Sequence, residues 1–424
     1  MYSTKLIALL LYLAVTSMVF AQGEGSSCMF TQGQSYSFDL GISVDTADLN
    51  GDGFLDIAAA SLCDGTVAIF LNNGGGTFVE DEVYKVSITC FEVEIGDLNG
   101  DLAPDLAVNS GGGLAVLLNA GDGTFGLPTI YSVGSVGFGF GLRDFDGDSD
   151  LDMVVCRTSG FVSVYRNTGD GTLIEDASYA VGTSPFAVST GDLDRDGDID
   201  LAVSNSREDN VSILLNNGNG TFADDVKYDT GDEPLFLVVG DLNADLYLDV
   251  AVANAGDDTV SVLLNNGDGT YSPGTSYPSG PGVYDIALGD LDLDGNLDIA
   301  VTNFCDTTVS TLFNNGDGSF SNPTSVTVGN NPSSLSLDDV NNDDSVDLVT
   351  TNFSGGDVAV FLNVCAGNVV LGDVNLDGVV NLLDVAPFVN LLSLGEFQLE
   401  ADINEDGVVN LLDVAPFVQL LSGG

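Results

Sequence analysis

An acidic loop returns seven times along this chain at a nearly fixed interval, beginning at Asp48, Asp97, Asp144, Asp192, Asp241, Asp290 and Asp339, with steps of 47 to 49 residues. Each interval holds four short apolar segments. One leads into the loop, a second follows it (Leu297–Asn303), a third ends in a glycine-rich turn (Val260–Gly269), and a fourth opens on an aromatic such as Phe222 or Tyr271. Apolar runs of this length between turn signals read as strands. Four strands per period of about 48 residues suit the blades of a propeller better than the faster-repeating coils of a solenoid. The expected fold is therefore all-β, a seven-bladed β-propeller occupying 28–367 as one domain.

The ends of this region differ from its middle. Six units have a turn between their third and fourth strands, such as Asn216-Asn217-Gly218-Asn219-Gly220, but the seventh runs through Asn363-Val364-Cys365 and leaves the pattern. Its missing strand matches the N-terminus, where Phe30 and Tyr36 stand at the aromatic positions. Residues 28–38 should complete blade seven and close the ring. That register sets Cys28 opposite Cys365, where the other blades have a covalent hairpin, so a Cys28–Cys365 disulfide is expected. Cys63 and Cys90 should share one face and are candidates for a second bridge, the alternative being idle thiols. Cys156 and Cys305 fall in blades too far apart to pair.

The loops point to metal. In blade four Asp192, Asp194, Asp196 and Asp200 occupy positions 1, 3, 5 and 9 of a tight turn. Alternate side chains on such a turn surround one point, and a backbone carbonyl near position 7 can join them. The same positions hold Asp48, Asn50, Asp52 and Asp56; Asp97, Asn99, Asp101 and Asp105; Asp144, Asp146, Asp148 and Asp152. They recur as Asp241, Asn243, Asp245 and Asp249; Asp290, Asp292, Asp294 and Asp298; and Asp339, Asn341, Asp343 and Asp347. An oxygen-only donor set selects Ca2+ over transition metals. Position 6 favours a residue tolerant of positive φ, and only Gly53, Gly197 and Gly295 meet that preference. Leu102 and Leu246 should weaken blades two and five, unless the backbone there takes another path.

Composition narrows the function. With 8 Lys+Arg against 64 Asp+Glu the formal charge is −56, which makes nucleic acid and anionic membranes poor partners. The absence of His removes imidazole catalysis and His–zinc sites, and the absence of Trp removes a common sugar-stacking platform. At the N-terminus Lys5 precedes an apolar run, Leu6–Phe20, ending in Val19-Phe20-Ala21. Residues 1–21 therefore read as a secretory signal peptide, too short in its apolar run to span a membrane, followed by a short segment 22–27. No later segment is long enough to span. Export would place the chain in a medium that permits disulfides and supplies calcium.

The units GDLNGDG-x-x-D followed by NNGDGTF resemble the FG-GAP/VCBS repeats of integrin alpha-chain propellers and their bacterial relatives. The resemblance implies calcium held in hairpin loops on one rim, and a theme of adhesion or recognition. Residues 368–424 change pattern. Asp373, Asn375, Asp377, Val379 (through its carbonyl), Asn381 and Asp384 repeat as Asp402, Asn404, Asp406, Val408, Asn410 and Asp413, each set followed by an apolar stretch. This EF-hand spacing, with Asp at position 12, resembles the duplicated loop-helix of type I dockerins, which dock on cohesins. The resemblance implies a small α-helical module with two further Ca2+ sites, up to nine in all, and a cohesin-like or envelope partner. Val379–Val389 is identical to Val408–Val418, so two equivalent docking faces are expected. Leu382-Leu383, Leu411-Leu412, Pro387 and Pro416 depart from the usual module, and a stabilising cap is the alternative role.

Chain order puts the calcium loops and NNGDG turns on one face and the variable loops on the other. Irregular loops on a rigid frame usually carry recognition, so the variable face is the expected site for a glycan or surface protein. The function expected is a secreted or cell-surface calcium-binding recognition or adhesion protein. A carbohydrate-active hydrolase or lyase acting in polysaccharide degradation, or a structural envelope scaffold, is the alternative. Catalysis is disfavoured because nearly half the carboxylates are already assigned to cages and no separate catalytic domain fits the length.

Overall fold

The computed structural model describes residues 28–134 and 136–365, and they form seven four-stranded antiparallel sheets. Blade four shows the common plan, with strands Pro185–Gly191, Asp200–Asn205, Asn210–Leu214 and Val226–Asp229 in spatial as well as chain order. The second strand is buried along its whole length in every blade but the third, where Arg157 is part-exposed, which is why its middle reads as an apolar run rather than an alternation. Outermost strands are short or charged. Phe78–Lys85 in blade one exposes Glu80, Asp81 and Glu82, which discourages pairing with another sheet edge.

The core lies between blades rather than within them. One cluster joins Ala58, Val67 and Ile69 of blade one to Val93, Leu106 and Leu117 of blade two. Another joins Val349, Val358 and Val360 of blade seven to Phe38, Ile57 and Phe70 of blade one. Each sheet face is buried only because a neighbour covers it, so the ring must close for the first and last blades to be stable.

Closure is made by the N-terminus. Cys28–Ser37 pairs antiparallel with Asp357–Cys365 as the fourth strand of blade seven, with Cys28 opposite Cys365 and Phe30 opposite Asn363. The two cysteines are joined by a disulfide with an S–S distance of 2.00 Å. The candidate Cys63–Cys90 bridge is not formed. Cys63 is exposed on the turn after the second strand of blade one, whereas Cys90 begins the innermost strand of blade two and is packed into the core between the two blades. Burial pushes the Cys90 thiol up to about 12, so it is held as an apolar, protonated side chain. Among the described residues no helix is long and apolar enough to cross a membrane. The expected C-terminal helices, with Asp373 to Asp413, lie outside the described residues.

Candidate metal centres

Every acidic loop takes one backbone path. Position 4 has positive φ in all seven, from Gly147 at 81° to Ala244, Leu293 and Asn342 at 60°. Position 6 has it too, at Gly53, Leu102, Ser149, Gly197, Leu246, Gly295 and Asp344. Leu102 and Leu246 thus hold the same left-handed geometry as the glycines, both at φ 72°, rather than rerouting the chain. Their side chains point to solvent, at 90% and 67% exposure. A left-handed residue with a Cβ costs about 1–2 kcal/mol. Leu102→Gly and Leu246→Gly are each expected to raise stability by about 1 kcal/mol, after allowing for the extra unfolded-state freedom of glycine. Chemical denaturation of each variant checks this, and an unchanged midpoint would mean the strain is already relieved by the loop.

Hydrogen bonds explain the shared path. The position 6 N–H donates to Oδ2 of the position 1 Asp in all seven loops, at 2.8–3.1 Å. The position 3 side chain accepts from the position 5 N–H, as Asn50 from Asp52 and Asp194 from Asp196. The position 5 carboxylate accepts in turn from position 7, as Asp52 from Phe54 and Asp196 from Asp198. These Asx-type turns in series fix the side chains at 1, 3 and 5 before any ion arrives.

The position 9 Asp does the most structural work. Asp56, Asp105, Asp152, Asp200, Asp249, Asp298 and Asp347 are all buried. In blade four Asp200 Oδ2 accepts from Leu193 N–H at 2.8 Å and Oδ1 from Asn216 N–H at 2.7 Å, and the other six repeat the pair. Burial lifts Asp200 and Asp298 to about 7 and Asp347 to about 8, while the backbone donors pull the other way. Protons therefore bind the folded, metal-free chain more tightly than the unfolded one. In excess chelator the thermal midpoint should rise as pH falls from about 8 to about 6 and level off near the unfolded carboxylate value of about 4. A midpoint that falls over that window would contradict this assignment of the buried acids.

The loops converge to different degrees. Oxygens of Asp144, Asp146 and Asp152 approach within 4.8 Å of one another, as do those of Asp192, Asp194 and Asp200 and of Asp290, Asp292 and Asp294. The other four blades carry Asn at position 3, namely Asn50, Asn99, Asn243 and Asn341, so each gathers one carboxylate fewer. In blade four Asp192 Oδ1 is buried and meets no hydrogen-bond donor among the described residues. A buried anionic oxygen without a donor needs a cation, and the all-oxygen set fits Ca2+. In blade three a guanidinium is already present: Arg166 pairs with Asp146 and Asp176 and also donates to Asn219 O.

Sequence reasoning gave no role to the first Asn of the glycine-rich turn. Asn216 Nδ2 donates to Ile199 O of its own loop and to Phe145 O of the preceding blade's loop, at 3.0 and 2.8 Å. Asn72, Asn119, Asn167, Asn265, Asn314 and Asn363 likewise reach back to the preceding loop, and Asn72 bonds Val340 O across the closure. Each acidic loop is thereby clamped to its neighbour. The signal was visible, since this Asn stands at the same place in every repeat.

Comparison with known proteins agrees with this geometry. The crystal structure of BBS1N in complex with ARL6DN superposes with a TM-score of 0.57 at 15% identity, covering 78% of this chain and 96% of that one. A streptogramin B lyase structure gives 0.54 at 10% identity, covering 80% and 98%. At such identities the likeness concerns the fold alone. No curated protein matches the chain. The FG-GAP-like repeat model matches residues 48–108, 144–203, 192–252, 241–301 and 290–350, each match running from one acidic loop into the second strand of the next blade. The dockerin type I domain model matches residues 371–421. With repeat matches over more than half its length and this module at its C-terminus, the chain belongs to the FG-GAP-like repeat family and ends in a dockerin type I domain.

Proposed function

We propose that this is a secreted or cell-surface recognition protein in which calcium stiffens the propeller and the C-terminal module anchors it. The dockerin domain implies docking to a cohesin partner and brings calcium binding with it, and such domains occur in extracellular or cell-surface proteins. The finer assignments are ours. Residues 1–21 serve as a signal peptide, 22–27 as a short lead, 28–367 as the propeller and 368–424 as the docking module. The propeller holds up to seven Ca2+ ions through the residues at positions 1, 3, 5 and 9 of its loops, and the module holds two.

The observation that carries this reading is the identical hydrogen-bonded path of seven acidic loops on one rim, a costly arrangement of like charges unless cations occupy it. The opposite rim is free to vary. There, among the described residues, the turn after the second strand bonds the connector that enters the blade in six blades, as Arg207 N–H to Thr183 O and Phe304 N–H to Gly282 O. Irregular loops tied to a rigid frame in this way suit recognition of a glycan or surface protein.

The test compares residues 22–424 with a 22–367 truncation for retention on envelope material and polysaccharides, in calcium and in excess chelator. Retention of both, lost on chelation, supports a propeller-borne site. Retention lost on truncation alone makes the propeller cargo for the docking module, and product release from any polysaccharide would overturn the non-catalytic reading.

A further inference from the structure

The innermost strands enclose a central channel of about 360 Å³ that none of the proposed calcium ligands of the loops lines. Asp45 of blade one, Glu92 and Glu94 of blade two and Asp285 of blade six face it, and Arg143 is the single cation on its wall. Each of the four acids straps its blade to the next. Asp45 accepts from Ile95 N–H, Glu92 from Phe140 N–H, Glu94 from Leu142 N–H and Asp285 from Leu335 N–H, at 2.8–3.0 Å. The strap needs an acceptor but not a charge. Elsewhere in the same ring a hydroxyl suffices, as Ser43 accepts from Val93 N–H and Ser334 from Val44 N–H. Among the described residues Glu92 and Glu94 each meet one hydrogen-bond donor, at Oε2, so Oε1 of both is uncommitted. Burial first, then the charges of Glu94, Asp285 and Asp45, hold Glu92 well above the usual carboxylate range, a bias that a bound cation would offset.

One mouth of the channel is aromatic. Phe138 stacks on Phe186 with ring centroids 4.8 Å apart, Phe186 meets Phe236 at 5.4 Å and Tyr284 at 6.0 Å, and Phe236 meets Tyr284 at 5.4 Å. These four rings come from blades three to six and are all half-buried, Phe186 and Phe236 packing on the interblade cores with part of each ring left exposed. Collar and acids are contiguous: Phe236 lines the channel itself, Tyr284 directly precedes Asp285, and after burial the charges of Asp285 and Glu92 raise the Tyr284 hydroxyl pKa.

We propose that the channel binds an aliphatic ammonium ligand of polyamine type, with its nitrogens on Glu92 and Glu94 and its methylenes and remaining charge against Phe186, Phe236 and Tyr284. Ammonium donors match the uncommitted carboxylate oxygens, and aromatic faces attract cations while burying the alkyl stem. A divalent metal ion would use the acids but not the rings, whereas an organic cation uses both. The volume falls in the range of small-molecule sites. This inference goes beyond the recognition reading and stands apart from it, because the ligand would bind whether or not the variable loops engage a surface.

Isothermal titration of the whole chain with spermidine, at saturating calcium and physiological salt, tests it. One saturable site is expected, weakened at least tenfold by Glu92→Gln and several-fold by Phe236→Leu. Gln keeps the acceptor for Phe140 N–H, so Glu92→Gln should fold, and Phe236→Leu offers a second variant at a half-exposed position. Binding equally strong in both variants would mean diffuse attraction to a polyanion and would overturn the proposal, as would the absence of a saturable site in the unaltered chain. Neither outcome bears on retention by the variable face.

Discussion

Excess chelator is expected to lower the thermal midpoint of the propeller by about 10 °C or more relative to millimolar calcium. An ion bound only by the folded state at a hundred times its dissociation constant contributes about 2.7 kcal/mol per site. The three loops that gather three carboxylates within 4.8 Å would together contribute about 8 kcal/mol, before the Asn-containing loops are counted. A domain of this size unfolds with an entropy of about 0.7 kcal/mol/K, which converts that sum to roughly 10 °C. The Asn clamps should make the effect cooperative, since each loop is bonded to the one before it. Asp200→Asn keeps an acceptor for only one of the two backbone N–H groups that Asp200 serves, so it should lose stability in chelator as well as part of the calcium response. Scanning calorimetry in calcium, magnesium and chelator checks this, and equal midpoints in calcium and chelator would show the loops to be acidic turns without a metal role.

The repeat made most of the fold legible. Asp at positions 1, 5 and 9 and glycine-rich turns at a fixed interval specified both the blade number and the strands, because each feature recurs in register. Closure was legible from what blade seven lacks. The features that stayed hidden are those in which residues meet across blades. The role of Asn216 is fixed by Phe145 O, some seventy residues away, so its recurrence was visible while its function was not. The channel acids recur in too few blades to announce themselves: Glu92 and Asp285 stand where other blades place Ser43, Ala187 or Phe236, and Asp45 and Glu94 where others place Gly141, Ser189 or Val238. For Cys63 and Cys90, sharing a face of the ring was insufficient, because one sulfur faces solvent and the other faces the core. Leu102 and Leu246 show that local side-chain acceptors within the loop, here Asp97 and Asp241, can hold a residue where its own preference would not.

Replacing both closure cysteines, by Cys28→Ser with Cys365→Ser, should lower the midpoint by about 8 °C without preventing folding. The bond spans 337 residues, and chain-entropy bookkeeping assigns about 6 kcal/mol to a loop of such length. The ring would not simply open. Asn72 still bonds Val340 O, Asn363 still bonds Leu291 O, and Tyr36 still packs on Phe70 and Phe78. What the substitution removes is the covalent link that makes the outermost strand of blade seven part of a hairpin, as it is in every other blade. That strand should then become the first to open, so hydrogen exchange should quicken at residues 28–37 and at their partners 357–365 while blades three to five keep their protection. If exchange instead quickened evenly around the ring, the disulfide would act only on the unfolded chain. If neither exchange nor midpoint changed, the interblade cluster of Phe38, Phe70, Val358 and Val360 would by itself suffice to close the propeller.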